Sequence, residues 1–131
     1  MITAYSQQNF SDKELLAFYR VYKYTLDKPF EPFSVMQKLL SQVNISEERM
    51  TEIIQAETLG KTIQLSEQEK KSMEELKKLM QKEKEKYDLQ IDKMMQQEKL
   101  SAKRFEAIKI AYHQDASLRQ KIDALIQKNN H

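Results

Sequence analysis

Ser66–Lys99 reads SEQEKKSMEELKKLMQKEKEKYDLQIDKMMQQEK. It holds no glycine and no proline, and Lys, Glu, Gln, Met and Leu dominate it; all are good helix formers. The pattern predicts one helix of about 33 residues, roughly 50 Å long at ~1.5 Å per residue. Ser66 and Glu69 can form a capping box at its start. Met73, Leu76, Met80, Tyr87, Ile91 and Met94 make a thin apolar stripe, with steps of three, four, seven, four and three. Glu83 falls where another apolar residue is due. Glu67 with Lys71 and Glu74 with Lys78 are favourable pairs on the outer surface. A long, thin-striped, charge-laced helix suggests a coiled-coil-like hairpin arm or the seam of a homodimer. The heptad is too short and too broken for a free coiled coil.

Outward from this helix, one start signal recurs. NFSDKELLAF (Asn9–Phe18), NISEERMTEI (Asn44–Ile53) and KLSAKRFEAI (Lys99–Ile108) share the order apolar, Ser, three residues, apolar. Ser11, Ser46 and Ser101 can each accept an otherwise unpaired N–H of a first helical turn. Phe10 with Leu15, Ile45 with Met50, and Leu100 with Phe105 stand at staple positions. Glu14 completes a capping box with Ser11.

These signals predict a first helix from Ser11 to about Asp27, with Leu15, Phe18, Tyr19, Tyr22 and Leu26 on one face. Pro29 and Pro32 break it. Val35, Met36, Leu39, Leu40 and Val43 mark a second helix, ending near Gln42. A third carries Met50, Ile53 and Ile54 inward and stops at Gly60, at or near its C′ position. After the long helix, Ser101 opens another helix with Ile108, Ala111 and Tyr112 inward. Asp115 caps a final one with Leu118, Ile122 and Leu125. The expected organisation is a flexible stretch over 1–10, a single helical domain over 11–127 and a loose end over 128–131. The repeated cap fits both a true duplication and independent use of one generic signal.

Composition agrees with an all-α fold. The chain has 131 residues, one glycine and two prolines, so hairpin turns are poorly supplied. Charged residues make up 32%, with 22 basic against 20 acidic and a net charge of +2. The segment from Leu100 is mildly basic, well short of a nucleic-acid footprint. There is no cysteine, which removes disulfides, thiolate metal sites and a Cys nucleophile. No apolar run approaches the roughly 20 residues a membrane span needs. MITAYSQQNF lacks the charged and apolar regions of a signal peptide, yet suits the mature end of an exported chain.

The search for chemistry finds little. The histidines are His113 and His131, and neither has a partner at a metal-ligand spacing. One glycine cannot build a phosphate loop. Paired carboxylates such as Glu74 and Glu75 lie in a Lys-rich exposed helix, where solvation is their expected role. No catalytic residue, cofactor or metal is expected. Two features could carry binding. Aromatic residues crowd between Phe18 and Phe33, where Tyr24 falls on the side of the first helix opposite Leu15 and Tyr22, and Phe30 and Phe33 flank Pro32. Met73, Met80 and Met94 line the long helix, and methionine suits adaptable contact surfaces.

Two segments carry a family resemblance. Phe10-Ser-Asp-Lys-Glu-Leu-Leu-Ala-Phe18 resembles the opening of the bacterial family catalogued as domain of unknown function 4168. Leu100-Ser101, Phe105, Ile108, Asp115, Leu118 and Lys121-Ile122 are similar to its closing motif. Membership would imply an exported, periplasmic, helical protein with no assigned activity. A second resemblance is to Spy-type periplasmic chaperones, carried by Leu65-Ser66 and Leu100-Ser101. There Glu69 and Arg104 stand where that family has Gln.

The expectation is therefore an all-α bundle or hairpin: a long helix over about 66–99, with shorter capped helices packed around it. The expected role is non-enzymatic, in the bacterial cell envelope, through contact with a protein partner or by self-association as a homodimer along the long helix. The alternative is a periplasmic chaperone-like binder of unfolded or flexible chains, which predicts a concave apolar groove. A cytoplasmic location is the alternative to export. No small-molecule substrate is evident and a nucleic-acid partner is not expected. Tyr24, Phe30, Phe33, Met73, Met80 and Met94 are the candidate contact residues.

Overall fold

A computed structural model describes residues 9–129. It is all-α, with no strand among the described residues. The helices are α1 (Asp12–Asp27), α2 (Pro32–Val43), α3 (Glu47–Thr58), α4 (Glu67–Gln97), α5 (Ala102–Gln114) and α6 (Ala116–Asn129). Helix α4 is the long one, 31 residues without a break.

Every expected cap is made. The Ser11 hydroxyl accepts from the Glu14 N–H while the Glu14 carboxylate accepts from the Ser11 N–H, both at 3.1 Å. Ser66 and Glu69 repeat this box at 3.1 and 3.0 Å. Ser46 and Ser101 each accept the N–H three residues on, from Arg49 and Arg104. The Asp115 carboxylate accepts from the Ser117 N–H at 2.9 Å and starts α6. Pro32 begins α2, where its missing N–H costs nothing.

Three helix ends close on a left-handed residue. Gly60 takes φ +67°, with Gly60 N–H on the Glu57 carbonyl and Lys61 N–H on the Ala56 carbonyl. This double bond pattern closes a helix through one left-handed residue. Lys99 (φ 57°) closes α4 the same way without being glycine, and Asn44 (φ 59°) closes α2 in left-handed geometry with its N–H on the Leu40 carbonyl. Leu100 N–H reaches the Met95 carbonyl at 2.9 Å, and Leu100 is then buried. Left-handed geometry costs Lys99 roughly 1 kcal/mol, which the burial of Leu100 offsets.

By contact, the chain divides into two compact units. The first holds the described residues up to Pro29 and those from Asp88 onward; the second is Phe30–Tyr87. Helix α4 gives its first part to the second unit and its last part to the first.

In the first unit, α6 packs against α1 and α5, and α1 packs against α5. The core is Phe10, Leu15, Ala17, Phe18, Val21, Met95, Leu100, Phe105, Ile108, Ala111 and Ile122. Phe18 is its centre: its ring lies 5.2 Å from Tyr22, 5.1 Å from Phe105 and 5.6 Å from Tyr112. In the second unit, Leu39, Leu40 and Val43 of α2 meet Met50 and Ile53 of α3, Ile45 and Leu76 of α4.

Several details differ from expectation. Leu26, placed inward, is 62% exposed, while Ala17 and Val21 are buried. The buried face of α1 is thus turned toward Ala17, Phe18 and Val21, because α1 has several neighbours and its apolar stripe is broader than one row. Tyr24, on the side of α1 opposite Leu15, is half-buried. Phe10 belongs to the core although it falls in the stretch expected to be loose; residues 1–8 lie outside the described residues. Helix α6 runs to Asn129, past the expected limit at 127, and residues 130 and 131 lie outside the described residues. Glu67 pairs with Lys70 at 3.3 Å, one position short of Lys71. Glu83 pairs with Lys86 at 3.2 Å. The stripe of α4 packs within the chain: Met73, Leu76 and Met80 join the second core, and Ile91 and Met94 the first.

Candidate functional site

Each unit is braced by one buttressed ion pair. In the second unit, the capping box holds the Glu69 carboxylate at the start of α4. Arg49, at the third position of α3, reaches it with Nε at 2.6 Å and Nη2 at 3.2 Å. The same Nη2 donates to the Gln64 carbonyl at 2.8 Å, and Nη1 to Glu52 at 2.8 Å. A planar guanidinium is suited to this, since its fork matches a carboxylate edge. The Arg49 bonds and the Ser66 N–H hold the Glu69 carboxyl down to about 2, and the paired carboxylates raise Arg49 further.

In the first unit, Arg104 at the third position of α5 binds Glu14 with Nε at 2.7 Å and Nη2 at 3.0 Å. Its Nη2 also donates to the Asn9 carbonyl at 3.2 Å. The Arg104 bonds, then the Ser11 N–H, bring the Glu14 carboxyl down to about 2. Arg104 lies over the Phe10 ring, 4.8 Å from its centre, a cation–π contact that helps order the chain entry to α1.

What these braces leave open differs between the units. In the second, a groove of about 410 Å³ is lined by Met36, Met50, Met73, Leu76 and Met80, with Glu74 and Lys77 as its charged residues. It draws on α2, α3 and α4, and four of its five apolar residues are methionine. A smaller recess of about 190 Å³ shares Met36 and Met50 and adds Phe33, Leu40 and Ile54. Unbranched thioether side chains can repack around differently shaped apolar groups. In the first unit, a groove of about 460 Å³ has Leu16, Tyr19, Tyr24, Met94 and Ile126 on its walls, with Arg20, Lys23, Asp27 and Asn129. Arg20 is held there by Glu98 at 2.9 Å. This second groove is the more polar of the two.

The six residues singled out in the sequence do not form one site. Met73 and Met80 line the methionine groove, and Phe33, 65% exposed, edges the adjoining recess. Tyr24 and Met94 line the groove of the first unit. Phe30 packs on Tyr87 at 5.8 Å, with the Lys84 Nζ 5.3 Å from the Phe30 ring centre. Met36 and Met50 also line the methionine groove, although in the sequence each fits a helical core face. With Met73 and Met80, they put methionine at inward positions of three separate helices. Arg49 and Arg104 were not among the six, although Ser-x-x-Arg occurs in two of the repeated starts.

His113 is exposed and stands edge-on to Tyr22, with Nε2 3.5 Å from the Tyr22 hydroxyl. Burial beside it pushes the Tyr112 hydroxyl above its usual value. Among the described residues, no group of three or more His, Cys, Asp or Glu side chains is placed to hold a metal ion. Among the same residues, no helix is long and apolar enough to cross a membrane. No protein-family model, no curated protein and no solved structure matches the chain.

Proposed function

We propose that this protein acts without catalysis, by protein–protein contact, and that the methionine groove of the second unit is the contact site. The observation that carries the reading is the groove itself: concave, apolar, and walled by side chains that can repack. That chemistry suits short apolar stretches of flexible or unfolded polypeptides, a chaperone-like use. An envelope location rests on the resemblance to exported helical proteins and belongs to the same proposal. The use of α4 as a homodimer seam is the weaker reading, because the stripe from Met73 to Met94 contributes to cores within the chain.

The test is suppression of aggregation. A reduced, unfolding client protein is followed by light scattering with and without this protein at equal molar amount. The expected result is slower aggregation, weakened by Met36→Gln and Met80→Gln and unaffected by Leu26→Gln. No suppression by the unaltered protein would sink the chaperone-like reading. Molar mass by light scattering across a concentration range separates the seam reading: a monomer near 15.6 kDa is expected, and a stable dimer would restore α4 as an interface.

A further inference from the structure

We propose that the chain is a twofold repeat of a 55-residue helical unit, and that the repeats exchange their first helices, so that each compact unit is built from both. The sequence offset is constant. Ser11 and Ser66, Glu14 and Glu69, Asn44 and Lys99, Ser46 and Ser101, Arg49 and Arg104, and Ile53 and Ile108 all stand 55 positions apart.

The structure gives each of these pairs one role. Ser11 and Ser66 make the capping boxes that contain Glu14 and Glu69. Asn44 and Lys99 are the non-glycine residues described with positive φ, at 59° and 57°. Each is followed by a buried aliphatic residue, Ile45 or Leu100, then by a capping serine and an arginine three later. Arg49 and Arg104 bind their carboxylates through the same two nitrogens, Nε and Nη2. Each also donates to the carbonyl five residues before its glutamate, Gln64 or Asn9. Burial follows the same offset: Ala17 and Ser72, Val21 and Leu76, Leu40 and Met95, Met50 and Phe105 are all buried. A cap alone recurs easily, because its physics is local. A left-handed cap, a serine cap, a fork-bound arginine and its carbonyl acceptor recurring together at one offset do not follow from capping.

The exchange is in the partners. The first repeat runs through α1, α2 and α3; the second through α4 and α5. Glu14 of the first repeat is bound by Arg104 of the second, and Glu69 of the second by Arg49 of the first. The one large departure is at the link. The first repeat has Pro29 and Pro32 between α1 and α2, whereas Lys84 and Tyr87 stand at those positions and α4 continues unbroken. Helix α6 begins at the end of the second repeat and has no helical counterpart there in the first, where residues 61–65 are not helical. Helix α6 packs against α1, and Leu15 and Tyr19, which are part of that unit's core, correspond to the polar Lys70 and Glu74 in the second repeat.

Double-mutant cycles on the full chain test the exchange. Glu14→Gln and Glu69→Gln are each combined with Arg49→Met and with Arg104→Met, and unfolding equilibria are measured in urea. The expected coupling is roughly threefold to tenfold in the unfolding constant for Glu14 with Arg104 and for Glu69 with Arg49. Glu14 with Arg49 and Glu69 with Arg104 should show none. Coupling in the crossed pairs, or none in either brace, overturns the proposal. Equivalence of the repeats is tested by trading Asn44–Arg49 (NISEER) for Lys99–Arg104 (KLSAKR) in both places at once, with Met50 and Phe105 left alone. Cooperative unfolding with both couplings kept supports the repeat; loss of either coupling refutes it.

Discussion

The two units brace their helices in the same way and fill the space beside the brace differently. In the first, Phe18, Tyr22, Phe105 and Tyr112 pack as a ring cluster, Phe18 stacked on Tyr22 and the other contacts tilted or edge-on, with ring centres between 5.1 and 5.6 Å. In the second, Met73, Lys77, Met50 and Glu57 hold the corresponding positions. Rigid rings fill the one; flexible thioethers line an apolar groove of about 410 Å³ in the other. The brace is thus a frame, and the filling decides whether packed rings or an apolar methionine groove lies beside it. Aromatic rings contribute large buried area with fixed geometry. Methionine contributes area without fixing the shape.

The largest effect should come from emptying the aromatic side. Phe18→Ala removes the hub of the aromatic cluster and should cost about 3–5 kcal/mol. Met73→Ala, at the matching place, should cost clearly less, about 1–2 kcal/mol, because its side chain is only half-buried beside an existing groove. Equal losses in urea unfolding would break the contrast. Ile53 and Ile108 sharpen it from the other direction. Both are fully buried at matching places. Truncation to alanine should cost about 2–5 kcal/mol at each, and the two values should agree more closely than those for Phe18 and Met73.

Next in size is the response to acid. The Glu14 and Glu69 carboxyls lie near 2 in the folded protein, against an ordinary value of 4.5. A carboxyl depressed by folding contributes stability that is full above its unfolded value and is lost as pH falls through its folded one. Melting temperature should therefore fall as pH drops from about 4.5 toward 2, and Glu14→Gln with Glu69→Gln should flatten that slope. Carboxyl titration by NMR should show the two moving together, as matched braces require. The smallest effect belongs to the surface: Leu26→Ala should change stability by no more than about 0.5 kcal/mol, since Leu26 is 62% exposed.

Most of the helical plan was legible because its signals are local. Ser11, Ser46, Ser66, Ser101 and Asp115 start helices through bonds to neighbours three residues away or fewer, and Gly60 and Pro32 act where they stand. What depended on distant partners was not legible. The face of α1 that is buried, with Ala17 and Val21 in and Leu26 out, is set by helices far along the chain. The stripe of α4 reads as one seam, yet two separate cores take its two ends. The methionine groove was half visible: Met73 and Met80 share a stripe on one helix, but Met36 and Met50 join them only once α2 and α3 are in place. Arg49 and Arg104 look like surface cations until the capped glutamates they bind are known.

The most direct measurement is NMR of the methionine methyl groups while an unfolded, apolar-rich polypeptide is titrated in. The account predicts shifts at Met36, Met50, Met73 and Met80, with Met94 and Met95 unmoved. Shifts confined to Met94 and Met95, or none at any methionine, would contradict it.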